Sequence, residues 1–189
     1  MGAPRAMLLF PGAGSDRNHS SLVALQDALS PLVVERADFP YRREGRKAPD
    51  RPAKLMACVR DEARSLAEAR GIDTSHMVLG GRSLGGRMCS MVAAEGLGAA
   101  GLVLISYPLH PPGKPDRLRV DHFARLELPC LFVSGTRDPF GAPDELETHT
   151  RAIPGPVSHV WIDGARHELK DADDAIVDAV RRWLGSLAA

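Results

Sequence analysis

Met77-Val78-Leu79-Gly80-Gly81-Arg82-Ser83-Leu84-Gly85-Gly86-Arg87 is the stretch that decides the fold of this chain. Met77 to Gly80 reads as a short buried strand, and Leu84 to Glu95 carries a helical pattern. Between them Gly81-Arg82-Ser83-Leu84-Gly85 matches G-x-S-x-G. A serine on a sharp strand-to-helix turn sits in a strained backbone conformation, and side chains at the flanking positions would clash with neighbouring elements. The turn lifts the hydroxyl above the sheet and sets it at a helix N-terminus, where backbone N–H groups favour developing negative charge. Ser83 is therefore the candidate nucleophile. Gly81 and Gly86 also have the spacing of a phosphate loop, but Arg87-Met88 stands where that loop needs Lys and Ser or Thr.

Outward from this turn, short apolar runs alternate with helical patterns, which predicts an α/β fold with a mostly parallel sheet. The six strand candidates are Met7–Phe10, Leu32–Ala37, Met77–Gly80, Gly101–Ser106, Leu131–Ser134 and Val157–Ile162. Helices are expected at Ser21–Leu29, Arg51–Arg70, Leu84–Glu95, Pro143–Arg151 and Asp173–Leu187. Pro52 near the start of the second and Gly71 just past its end are the usual punctuation. Leu55, Val59, Glu62 and Leu66 share one stripe of that helix, and Glu62 is its polar exception. Ile176, Val177, Val180, Trp183 and Leu184 share one face of the last.

A serine needs a base to take its proton and a third group to orient that base. Where this turn is used, the partners follow in the order Ser, Asp, His, each just after a strand. His167 lies beyond the last strand in the turn-rich Asp163-Gly164-Ala165-Arg166-His167, whereas His159 falls within a strand pattern and His149 within a helix. His167 is the candidate base. Asp138 follows the Leu131–Ser134 strand, and Pro139 biases it away from helical geometry. Asp144 and Glu145 are fallbacks for the acid, and Asp163 is another carboxylate at a turn. For the oxyanion, one donor is the N–H of Leu84. The other is assigned to Ala13, in the loop Pro11-Gly12-Ala13-Gly14-Ser15, whose Gly12 and Gly14 let backbone approach the substrate. Gly12-x-Gly14 does not extend to a dinucleotide fingerprint, because Arg17 replaces the third glycine.

The chain has 189 residues, 24 basic and 24 acidic, so no global field draws it to nucleic acid or an anionic membrane. Its length fits a single domain, 1–189. The longest apolar run, near Gly101–Ile105, is too short to span a bilayer, and Met7-Leu8-Leu9-Phe10 is too short for a signal-peptide core. Ala6 stands where a myristoylation motif needs Ser or Thr. Cys58, Cys89 and Cys130 are odd in number, sit in apolar patterns and lack metal-ligand spacing; buried free thiols in a reducing cytoplasm are expected.

With these pieces in order, the chain resembles the α/β-hydrolase superfamily over nearly its whole length. More narrowly, it is similar to the small dienelactone-hydrolase-like group that includes testis-expressed and NSL-complex-subunit-related proteins. The resemblance is carried by Phe10-Pro11-Gly12-Ala13-Gly14-Ser15, Gly81-Arg82-Ser83-Leu84-Gly85-Gly86-Arg87, Tyr107-Pro108-Leu109-His110-Pro111-Pro112-Gly113-Lys114, Gly135-Thr136-Arg137-Asp138-Pro139-Phe140-Gly141 and His167. It implies the roles given above to Ser83, Asp138 and His167 in a compact α/β-hydrolase fold, with about six strands flanked by helices. No insertion large enough for a cap domain lies between the later strands, and the chemistry expected needs no cofactor. The family's first two strands are not represented, and true dienelactone hydrolases carry Cys where Ser83 stands.

The function expected is a serine hydrolase acting on a small ester or thioester; the alternative is a non-catalytic binding or scaffold protein of the same fold. Arg82 and Arg137 flank the nucleophile and the acid, and are candidate contacts for an anionic substrate or, equally, structural arginines. Arg87, Lys114 and the Arg42–Lys47 segment are further cations expected near the rim of the site. The loops Tyr41–Asp50 and Tyr107–Asp116 are either solvated connections or walls of the site, since both follow strand carboxyl ends.

Overall fold

The computed structural model describes residues 3–187. Its centre is a six-stranded, wholly parallel sheet in the order β2-β1-β3-β4-β5-β6. The strands are β1 (Ala6–Phe10), β2 (Val33–Arg36), β3 (Met77–Arg82), β4 (Gly101–Ile105), β5 (Cys130–Gly135) and β6 (Val157–Ile162). The helices are α1 (Ser20–Ala28), α2 (Pro40–Arg43), α3 (Pro52–Arg70), α4 (Leu84–Ala94), α5 (Pro143–Thr150) and α6 (Asp173–Leu187).

Strands β1, β3, β4 and β5 are buried along their whole length, as a parallel sheet covered on both faces requires. Alternate residues then feed two separate cores. Ala6, Leu8, Phe10, Leu79, Leu102, Leu104 and Phe132 pack with α3 and α4 through Leu55, Val59, Ala63, Met88 and Val92. Met7, Leu9, Val78, Val103, Ile105, Leu131 and Val133 pack on the other face with Leu22 and Leu25 of α1 and Ile176, Val177, Val180 and Trp183 of α6. The period of two in the strands and of about 3.6 in the helices thus meets in a three-layer sandwich.

Three local features depart from the sequence expectation. Strand β3 continues to Arg82, because the Ser83 N–H still donates to the Ile105 carbonyl (2.8 Å) and the ladder holds up to the turn. Strand β2 is trimmed to four residues at the sheet edge. The Tyr41–Asp50 loop opens with the short helix α2, started by Pro40 at its first position. Its Arg43 meets Glu62 at 2.5 Å, which explains the polar exception in the apolar stripe of α3.

All three cysteines are buried and unpaired. Burial pushes the Cys58 thiol up to about 11 and the Cys130 thiol up to about 12. Between β4 and β5 the only helical turn is Phe123–Arg125, and among the described residues no inserted element caps the carboxyl ends of the strands. No helix among them is long and apolar enough to cross a membrane.

Candidate active site

The chain leaves β1 toward β2 on one side and later returns as β3 on the other, so the strand order reverses at β1. In such sheets ligands bind outside the carboxyl ends at the reversal. The segments that follow β1 and β3 there are Gly12–Ser15 and Ser83-Leu84, and both line one cleft of about 480 Å³. His19, Arg82, Arg87, Pro108, Arg119, Phe140, His167 and Glu168 complete its walls.

Ser83 has φ 46° and ψ −110°, a sparsely populated conformation for a residue with a side chain. Close packing of the turn against β1 enforces it. A Cβ at Gly81 would lie 2.1 Å from the Phe10 carbonyl oxygen, and one at Gly85 would lie 2.3 Å from the same atom. Only glycines let β3 and α4 approach β1 this closely, and that approach brings Ser83 beside Gly12, where an added Cβ would lie 3.7 Å from its own.

The side chains of Ser83, His167 and Asp138 form one hydrogen-bonded chain. His167 Nε2 lies 3.0 Å from Ser83 Oγ, and its Nδ1 lies 2.8 and 3.0 Å from the two Asp138 oxygens. A carboxylate can only accept, so Nδ1 carries the proton and Nε2 is left to accept from the serine hydroxyl. Asp138 is 5 % exposed, and its Oδ1 also accepts from the Phe140 N–H at 2.8 Å. The Phe140 ring stacks on the imidazole at 4.0 Å between centroids.

The histidine loop is pinned through its backbone. Ser106 Oγ donates to the His167 carbonyl at 2.8 Å, and Arg82 Nη2 donates to the carbonyls of His167 (3.1 Å) and Glu168 (3.0 Å). Ser106 is itself buried at φ 50°, just past the end of β4. Arg82 is buried too, and desolvation lowers its pKa despite Asp173, Glu168 and Asp138 nearby. Its Nη2 therefore serves the loop, while Nη1 is buried without a hydrogen-bond partner and the side chain borders the cleft.

The Leu84 N–H opens α4, where no intrahelical acceptor exists, and neither it nor the Ala13 N–H has an acceptor among the described residues. Both residues line the cleft. The Tyr41 hydroxyl donates to the Ala13 carbonyl at 2.9 Å, fixing the loop that presents this N–H. Tyr41 is fully buried in a stack with Phe39, itself stacked on Phe10.

Several expected participants lie elsewhere. Arg137 is exposed and does not line the cleft; its backbone N–H bonds the Ala165 carbonyl. The segment Arg42–Lys47 also stays outside, with Arg43 on Glu62 and Arg46 on Asp50. From the Tyr107–Asp116 loop Pro108 reaches the cleft, and Lys114 does not. Glu145 caps α5 by accepting from the Ala142 N–H, and Asp163 accepts from Thr136 Oγ1, so these carboxylates have other work.

Sequence reasoning missed Tyr41, Ser106, Phe140, His19 and Arg119. Phe140 and Ser106 had a signal, being two residues past Asp138 and one past β4. His19 caps α1, its Nδ1 accepting from the Ser21 N–H, and burial with the Arg82 charge lowers its pKa. No group of three or more His, Cys, Asp or Glu that could hold a metal occurs among the described residues.

Known proteins share this architecture. The structure is similar to Est1E from Butyrivibrio proteoclasticus (TM-score 0.72, 16 % identity, 98 % of this chain and 88 % of that one). It is similar also to a thermophilic esterase from Thermogutta terrifontis, solved with malate bound (0.72, 19 %, 100 % and 92 %). A monoacylglycerol lipase from Paleococcus ferrophilus gives 0.73 at 18 % identity, with 99 % and 97 % covered. At these identities the likeness is one of fold. The sequence itself matches a family over residues 3–179, and by that match the chain belongs to the alpha/beta hydrolase domain family.

Proposed function

We propose that this protein is a serine hydrolase that cleaves a small ester or thioester through an acyl-enzyme on Ser83. The observation that carries the reading is the Asp138–His167–Ser83 hydrogen-bond chain, set in a cleft with two unengaged backbone donors. Ser83 Oγ attacks the carbonyl carbon while His167 Nε2 takes its proton, and Asp138 stabilises the imidazolium. The Leu84 and Ala13 N–H groups receive the oxyanion of the tetrahedral intermediate; one such donor is worth about 10²–10³ in turnover. The intermediate collapses, the leaving alkoxide or thiolate takes the proton from His167, and the acyl group stays on Ser83. Water then attacks the acyl-enzyme, giving its proton to His167, and a second collapse releases the carboxylic acid and returns the proton to Ser83.

A non-catalytic scaffold would have no use for three such side chains at hydrogen-bond distance. The narrower likeness to small dienelactone-hydrolase-like proteins belongs to this proposal and names no substrate. Buried, unpaired Cys58, Cys89 and Cys130 support placing the protein in a reducing cytoplasm.

The test is covalent labelling with a fluorophosphonate probe. Native protein should label on one serine, and Ser83→Ala should abolish labelling and lower any ester hydrolysis by about 10⁴-fold or more. A folded native protein that stays unlabelled and cleaves no short-chain ester or thioester would sink the proposal.

A further inference from the structure

The basic side chains that line the cleft beside Ser83 differ in their electrostatic surroundings. His19 and Arg82 both feel Asp173, and Glu168 and Asp138 act on Arg82 as well. Arg119, from the β4–β5 connection, instead feels the charge of Arg87, from the first turn of α4. No carboxylate lies within ion-pair distance of either arginine among the described residues. Arg87 Nε is buried without a hydrogen-bond partner. The Arg119 guanidinium makes a single long bond, 3.4 Å, to the Pro108 carbonyl.

This is not for want of carboxylates. The chain has as many acidic as basic residues, and Arg43, Arg46 and Arg60 all find partners. Arg87 sits at the positive end of a helix, where a cation is disfavoured. Burial and the Arg87 charge both work against the charge on Arg119. Two half-buried guanidinium groups opposed to each other raise the free energy of the empty cleft, and an anion between them would relieve it. Their planar forks suit a carboxylate or a phosphate, which they bind in bidentate fashion.

We propose that Arg87 and Arg119 form the subsite for an anionic group, so that the ester cleaved at Ser83 carries a carboxylate or phosphate on its acyl or alcohol portion. The proposal rests on the serine-hydrolase reading for the word ester, and on the cleft alone for the anion. It moves the anion site away from Arg82, whose Nη2 is held by the His167 and Glu168 carbonyls and whose charge, with Nη1 unbonded, is already opposed by Asp173, Glu168 and Asp138, and from Arg137, which lies outside.

The experiment compares esters that differ by one charge. Para-nitrophenyl hydrogen succinate and its methyl ester test the acyl portion, para-carboxyphenyl acetate and its methyl ester test the alcohol, and a phosphonate analogue of the succinate distinguishes phosphate from carboxylate. The charged member of at least one pair should have kcat/KM about tenfold or more above its neutral twin. Arg119→Met should bring that ratio toward one, and Arg119→Lys should keep part of it. In parallel, calorimetry on folded Ser83→Ala protein should show monomethyl succinate or inorganic phosphate binding, weakened about tenfold by Arg119→Met. Equal kcat/KM within every pair, or equal losses for charged and neutral esters in Arg119→Met, would overturn the subsite. So would the lack of any anion binding. Anion binding lost in Arg119→Met, without fluorophosphonate labelling or hydrolysis of any ester, would instead remove the hydrolase reading and leave the subsite standing.

Discussion

Ser83 is held in a conformation that its own side chain disfavours, and the residues responsible are neighbours with no part in the chemistry. The same holds for the Gly12–Ser15 loop. Ala13 is exposed, with nothing of its own to fix its peptide, and the anchor comes from Tyr41 on α2. Tyr41→Phe would keep the ring in its buried stack with Phe39 and remove only the bond to the Ala13 carbonyl. The expected result is a stability loss of about 1 kcal/mol, a kcat lowered about tenfold and little change in KM. Steady-state kinetics on a short-chain ester would check it, and a rise in KM at unchanged kcat would show that Tyr41 serves binding instead. That the side chains of Ser83, Asp138 and His167 meet was legible, because the roles proposed for them impose an order along the chain and a place after a strand. Tyr41, Ser106 and the buried Arg82 were not legible in their roles. Each acts on a backbone carbonyl of a loop distant in sequence, and no local pattern records such a contact.

At the scale of elements, short apolar runs placed all six strands and helical patterns the five longer helices, since a central strand here is buried along its whole length and a helix buries one stripe. What they did not place were lengths set by partners: β3 runs on to Arg82 because β4 is there to receive it, and α2 is too short for a period to show. The glycines of the serine turn and of the Gly12–Ser15 loop are there for different reasons. Gly81 has φ +152°, and a Cβ on it would enter the backbone of β1; at Gly14 a Cβ meets nothing within 4 Å. Gly81→Ala must therefore push β3 from β1 or strain the turn, costing roughly 3 kcal/mol or more. Gly14→Ala should change stability by less than about 0.5 kcal/mol. Urea denaturation of the two variants is the measurement, and equal effects would mean that the turn is less tightly packed on β1 than these contacts require.

Across the whole molecule, the parallel sheet sends the carboxyl ends of its strands to one edge, so loops far apart in sequence share one cleft. The layers that make this possible also bury titratable groups, and these couple the stability of the fold to pH. His122, 6 % exposed, places Nε2 2.8 Å from Ser90 Oγ beneath α4. Burial first, then the charges of Arg87 and Arg125, push its pKa down to about 4, with Asp121 opposing. In the unfolded chain it titrates near 6.5. Between these values the unfolded state binds a proton that the folded state refuses, so stability is full above about pH 6.5 and falls as the pH drops toward 4. At about pH 5 the loss from His122 alone comes to about 2 kcal/mol. His19 and His159, also lowered by burial, act in the same direction. The comparison that isolates His122 is urea denaturation of native protein and His122→Gln at about pH 7 and about pH 5. Native protein should lose about 2 kcal/mol more than the variant over that interval, because the shared contributions of His19 and His159 cancel. Equal losses in the two proteins would mean that His122 is protonated in the folded state, and that the pocket between α4 and the β4–β5 connection admits a charge.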